Sequence, residues 1–172
     1  MKLTWFGGTT LRVQLGGKIV VVDAESAPPG IDRAELVSGA DRAVQIAEIP
    51  YADPAGWRPK APRGLDAEAP LEVIRIGAGA LLVAIAGEPQ LVVLGSAEPP
   101  RFGRWADGAV VVLTSGRENF VAEASVLLDI ARPRLVAIAA DEQTLDLAIE
   151  ELSEHLDGAG LVSLEPGLAV EV

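Results

Sequence analysis

The chain has 172 residues, 49% hydrophobic and 23% charged, and its 14 basic and 25 acidic side chains give a net charge of −11. That length suits one globular domain with a folded surface of ~8,000 Å² and roughly 70% of the unfolded surface buried, so no staple is needed. The lack of cysteine excludes a disulfide scaffold and a Cys-ligated metal, and the single histidine, His155, excludes any two-imidazole site. The acidic balance argues against nucleic acid or an anionic membrane surface as partner.

No apolar run reaches the ~18 residues needed to span a bilayer. Met1-Lys2-Leu3-Thr4-Trp5 leads straight into strand-like sequence, from which a cytoplasmic location is expected. Leu11-Arg12-Val13-Gln14-Leu15 alternates apolar and polar residues as a half-buried strand does. Gly16-Gly17 is a hairpin turn, and Lys18 leads into Ile19-Val20-Val21-Val22, a strand buried on both faces and closed by Asp23.

The same pattern returns further on, in Leu81 to Ile85, the turn Gly87-Glu88-Pro89-Gln90, Leu91 to Leu94 and Gly95-Ser96. Val13 matches Val83, Leu15 matches Ile85, Gly17 matches Gly87 and Asp23 matches Gly95, with the offset slipping from 70 to 72. This hints at two related halves. Gly77-Ala78-Gly79 precedes a strand and lacks a third glycine, which is not the dinucleotide-binding pattern. Between the halves, Glu35 to Ile49 is expected to form a short helix. Residues 50–70, with Pro50, Pro54, Pro59, Pro62 and Pro70, are expected to form a long loop packed by Tyr51 and Trp57.

In the last third, Ala109 to Leu113 is a buried strand. Glu118 to Ala131 is a helix with Phe120, Ala124, Leu127, Leu128 and Ala131 on one face, stopped by Pro133. Leu135 to Ala139 is another buried strand. Glu142 to Leu156 is a second amphipathic helix with Leu145, Ala148, Ile149, Leu152 and Leu156 inward. Leu161 to Leu164, the turn Glu165-Pro166-Gly167 and Leu168 to Val172 read as a closing hairpin. Strand and helix alternating at this spacing imply parallel pairing with right-handed crossovers, and the hairpins make the sheets mixed.

Several segments resemble the metallo-β-lactamase superfamily, in particular the small metal-dependent hydrolases related to ascorbate-6-phosphate lactonase. They are the opening Met1 to Gly7, the hairpin Gly16 to Asp23, Arg132-Pro133-Arg134-Leu135-Val136 leading into a late strand, and the turn Leu164-Glu165-Pro166-Gly167. The resemblance covers roughly residues 1–25 and 72–172. It implies an α/β fold: a four-layer αββα sandwich with pseudo-twofold symmetry, shortened, in one domain over residues 1–172. The family's metal ligands do not carry over. Its opening histidine falls at Gly8, its histidine-rich segment near Ser38 to Val44, its bridging aspartate at Ser96 and its last histidine at Ala140. No metal and no cofactor are expected.

Polar residues at strand ends mark where the family's cleft would lie: Asp23, Ser96, Ser115, Arg117 and Asp141, with Glu25 and Glu98 nearby. Ser115-Gly116-Arg117-Glu118 reads either as a helix capping box or as an anion site in which Arg117 supplies the charge. Asp141 is a helix cap, and His155 sits at a helix end where a cationic imidazole is favourable. No serine here has a base to activate it. The expected function is a non-catalytic binding or interaction module that keeps the scaffold without the di-metal centre, with a homo-oligomer and a small anion as the partners left open. The alternative is a divergent hydrolase using a remodelled cleft without transition metal.

Overall fold

The computed structural model describes residues 1–62, 68–95, 99–114, 120–153 and 155–172. The chain opens with β1 (Lys2–Gly7), β2 (Thr10–Leu15) and β3 (Lys18–Val22), paired antiparallel in sequence. A short helix, α1 (Arg33–Val37), leads to β4 (Arg42–Val44), which lies parallel to β3. The order then repeats: β5 (Glu72–Gly77), β6 (Ala80–Ala84) and β7 (Leu91–Leu94) pair antiparallel, and β8 (Val110–Leu113) lies parallel to β7. The helix α2 (Phe120–Ile130), β9 (Leu135–Ile138), the helix α3 (Glu142–Leu152) and β10 (Gly160–Ser163) extend this sheet in parallel. Finally β11 (Ala169–Glu171) pairs antiparallel with β1. The protein is thus mixed α/β. Its described strands form two mixed sheets, ordered β11-β1-β2-β3-β4 and β10-β9-β8-β7-β6-β5.

The repeat is written in the register. Lys2 pairs with Gln14, Leu3 with Val13 and Gly7 with Thr10, with an irregularity between Trp5 and Gly7. Glu72 pairs with Ala84, Val73 with Val83 and Gly77 with Ala80, with an irregularity between Arg75 and Gly77. Every pair is displaced by 70 residues, bulge included. In the third strand Leu11 faces Val22 and Leu81 faces Val93, so the offset there is 71. The match of Asp23 with Gly95 read from sequence is therefore corrected: the equivalent of Asp23 is Leu94, because the second turn is one residue longer.

Alternation along the strands builds three cores. Leu11, Val13, Leu15, Val20 and Val22 join Leu81, Val83, Ile85, Leu91, Val93, Val110 and Val112 in one cluster shared by both sheets. Their neighbours Val92, Val111, Leu113, Val136 and Ile138 face the other way, onto Ala124, Leu127 and Ala131 of the α2 region and Ala148 and Leu152 of α3. On the far side of the five-stranded sheet, Val21 packs with Ala24 and Leu36. Runs such as Val20-Val21-Val22 are apolar throughout because both faces of the strand are covered.

Several expectations are corrected. The helix expected over Glu35 to Ile49 is only one turn and a half. Asp32 caps it, accepting from Ala34 N and Glu35 N, and Gly39 at φ +69 turns the chain away. The rest forms β4 and a 3₁₀ turn at Ile46–Glu48, because pairing with β3 outweighs local helix preference. Tyr51 does not pack the loop: it is 56% exposed, while Trp57 packs edge-on against Trp105. The helix expected over Glu142 to Leu156 is α3, which ends at Leu152, and Ile149 is 40% exposed while Thr144 takes the buried place. Beyond it His155 N donates to Leu152 O, and Asp157 adopts φ 42. The closing hairpin does not form either, since β10 and β11 belong to different sheets. The turn between them is held by Gly167 N donating to Trp5 O at 2.7 Å.

Candidate functional site

Strands β5 and β7 to β10 all run in one direction, so their carboxyl ends share one edge of the six-stranded sheet. That is where α/β proteins place ligands. Asp23, at the end of β3 in the other sheet, connects to this edge through Thr9. The Thr9 hydroxyl donates to Asp23 Oδ2 at 2.5 Å. Thr9 also packs against Gly95: a methyl group at position 95 would stand 2.7 Å from Thr9 Cγ2 and 2.9 Å from Thr114 Oγ1. The ends of the two sheets meet beside Asp23.

Asp23 itself is held on every side. Its backbone is left-handed, at φ 48 and ψ 44, and its N–H donates to Val44 O at 2.8 Å. Its Oδ1 accepts from Ile46 N at 2.7 Å and its carbonyl from Thr10 Oγ1 at 2.9 Å. With the Gln45 amide turned to satisfy both its neighbours, Gln45 Nε2 also donates to Oδ1 at 3.2 Å. This carboxylate organises the first half of the chain. Its two oxygens join the β1–β2 turn to the segment after β4.

Asp141 is exposed and caps α3, accepting from Thr144 N at 2.9 Å, as the sequence suggests. Ser96, Ser115 and Arg117, together with the proposed capping box and anion loop, lie outside the described residues. The last described residue before that loop, Thr114, donates from its N and its Oγ1 to Leu94 O. His155 is exposed past the end of α3, with Nδ1 3.1 Å from Glu151 O. Among the described residues no group of three or more His, Cys, Asp and Glu side chains is placed to hold a metal ion.

The same edge carries a feature that the sequence reading missed. A cavity of about 480 Å³ opens between the carboxyl end of β5 and the segment Pro99-Pro100-Arg101, with Tyr51 on its rim. Arg75 and Arg101 line it. Arg75 Nη1 donates to Ala47 O at 3.3 Å, while its Nε is buried without a partner among the described residues. Arg101 is exposed and makes no ion pair among the described residues. In a chain of net charge −11 the pairing of two guanidinium groups in one cavity is a local reversal of sign. It was missed because β5 was not recognised as a strand. The signal was present, since Arg75 stands 70 residues after Trp5 in the repeated hairpin.

Comparison with family models, with curated proteins and with solved structures gave no match.

Proposed function

We propose that this chain is a non-catalytic binding module, a single domain over residues 1–172 built as a shortened four-layer αββα sandwich of metallo-β-lactamase type that has lost its di-metal centre. The repeated hairpin register and the packing of apolar residues on both faces of β3, β7, β8 and β9 support that reading of the fold. The use of Asp23 as a buttress for Thr9 and Ile46 supports the loss of chemistry at the old cleft.

The observation that carries the binding function is the cavity at the carboxyl end of β5, where Arg75 and Arg101 face one space. Two fixed-charge forks lining one cavity suit a small anion, because guanidinium groups stay charged and hold oxyanions by paired hydrogen bonds. The overall negative charge keeps the affinity low, on the order of millimolar, and makes it fall as salt rises.

Titration with inorganic phosphate, followed by amide chemical shifts, tests this. Shifts clustered at Arg75 to Ala78 and at Arg101, lost in Arg75→Ala and in Arg101→Ala, are expected. Scattered or absent shifts would overturn the binding reading. Metal analysis of the untreated protein tests the other half: one tightly held transition metal per chain would overturn the loss of the metal centre.

A further inference from the structure

On the outer side of the six-stranded sheet, away from the edge just described, the loop over residues 54–60 and the 3₁₀ turn Arg104–Ala106 enclose a second cavity of about 350 Å³. Trp57 and Trp105 line it, with Arg58 and Arg104 beside them. The two indoles meet edge to face, with centroids 6.1 Å apart and planes at 90°.

Both indole N–H groups are buried without a hydrogen-bond partner among the described residues. Buried tryptophan N–H groups normally find an acceptor, because an unmet buried donor costs stability. The perpendicular stacking lets one N–H face the other ring, a weak acceptor, but it cannot serve both. Trp105 is 8% exposed, so its N–H has no recourse to solvent. Gly103 packs closely against it: a methyl group there would stand 3.0 Å from Trp105 Nε1 and 3.0 Å from Ala55 O. The backbone of Gly103 is extended, at φ −131 and ψ −178, which any residue adopts. Glycine is therefore needed there for room and not for conformation.

Charge points the same way. Arg58 and Arg104 are exposed and make no ion pair among the described residues, in a protein whose acids outnumber its bases. The site offers guanidinium donors and aromatic faces, with two indole N–H donors buried in its wall. Such a set calls for a ligand that is flat, apolar in its body and rich in acceptors at one end.

We propose that the Trp57–Trp105 cleft is a binding site for a small aromatic carboxylate, its ring against the indoles and its carboxylate held by Arg58 and Arg104, with an oxygen within reach of the orphaned indole N–H. Trp57 is the moving part. It is half-buried and sits on a proline-rich loop with no regular structure, so a small displacement opens the way to Nε1 of Trp105.

Benzoate is the probe, and the three indole N–H resonances are the readout. Trp5 is the internal control, since its Nε1 already donates to Gly8 O at 2.8 Å. On titration with benzoate, one or both of the Trp57 and Trp105 indole protons should move downfield as they gain an acceptor, and the Trp5 proton should stay in place. The Trp57→Phe variant assigns the peaks. Because both arginines are exposed, Arg58→Ala/Arg104→Ala should stay folded and weaken benzoate about tenfold or more, the usual effect of losing charge-assisted hydrogen bonds. Inorganic phosphate, which lacks an apolar body, should move these protons far less. The proposal is overturned if neither indole moves at saturating benzoate, if all three move together, if the double variant binds as well as the parent, or if phosphate acts as strongly as benzoate. None of these results depends on Arg75 or Arg101, so the two anion sites stand or fall separately.

Discussion

Lys60 holds both oxygens of Glu72: its backbone N–H donates to Oε1 at 2.8 Å, and its Nζ lies 3.2 Å from Oε2. Glu72 is only 8% exposed at the start of β5, and Lys60 ends the stretch of proline-rich loop that carries Trp57. One buried carboxylate thus ties an element without regular structure to the edge of a sheet. Glu72→Ala should cost about 1–3 kcal/mol, the range for removing a buried hydrogen-bonded partner. It should also raise amide exchange over residues 53–62. Unchanged exchange there would mean that the loop is held by the tryptophans alone.

Asp23 should prove a stability residue. Removing its carboxylate in Asp23→Ala strands Ile46 N–H and the Thr9 hydroxyl, and puts alanine into a left-handed backbone that it tolerates poorly. A loss of about 1–3 kcal/mol in denaturant unfolding is expected. Asn at this position accepts one hydrogen bond and tolerates the backbone, so Asp23→Asn should lose less. An equal loss in both would point to charge, and not geometry, as what matters.

Crowding at Gly95 gives a third expectation. Gly95→Ala would drive a methyl group into Thr9 and Thr114, at a cost of about 1–3 kcal/mol for overpacking. Gly56→Ala, where a methyl group meets nothing within 4 Å, should be close to neutral. Unfolding midpoints of the two variants compare them directly.

Val136 and Ile149 separate core from surface. Val136 is fully buried, so Val136→Ala, like Val111→Ala, should cost about 1–3 kcal/mol through lost contacts and a residual cavity. Ile149 is 40% exposed, and Ile149→Gln should stay within about 0.5 kcal/mol of the parent. A large loss in Ile149→Gln would show that its face is covered in solution.

Lys18 is hydrogen-bonded to Glu68 at 3.0 Å and lies 3.7 Å from Asp41. The Glu68 hydrogen bond, then the charges of Glu68 and Asp41, hold its ammonium above the ordinary value of 10.5. A raised folded-state value means that the stabilisation is fully present below the unfolded value and is lost as pH rises through the folded one. The small stability gap between the parent and Lys18→Met should therefore be constant from neutral pH up to about 10 and should close in stronger alkali. A gap that widens with pH would reverse the assignment.

Much of the architecture was legible because buried strands leave a continuous apolar signature: Val20 to Val22, Leu91 to Leu94 and Val110 to Leu113 needed no tertiary information. β5 was hidden by its own chemistry. Glu72 and Arg75 interrupt the apolar pattern, and only Lys60 and Ala47 make sense of them. The closing segment misled for a different reason. Two strands flanking Glu165-Pro166-Gly167 look like a hairpin locally, and the choice to pair with β9 and β1 instead rests on partners far away in sequence. Of the residues read as a cleft, Asp23 follows β3 directly and Asp141 caps α3, but hydrogen-bond partners such as Thr9 and Ile46 carry no pattern of their own. The Arg75–Arg101 and Trp57–Trp105 cavities are assembled across segments that no spacing rule connects.

The amino group of Met1 donates to the carbonyl of Val172 at 2.8 Å, and β1 and β11 lie side by side. Residues 1 and 172 thus lie within hydrogen-bond reach of each other. Joining residue 172 to residue 1 through a few glycines would ask little of the backbone, and the chain could be cut anew at the exposed turn around Gly87. Such a permuted chain would begin with β7 and end with β6, so that the strands of the second repeated hairpin would be made first and last in synthesis while every pairing was kept.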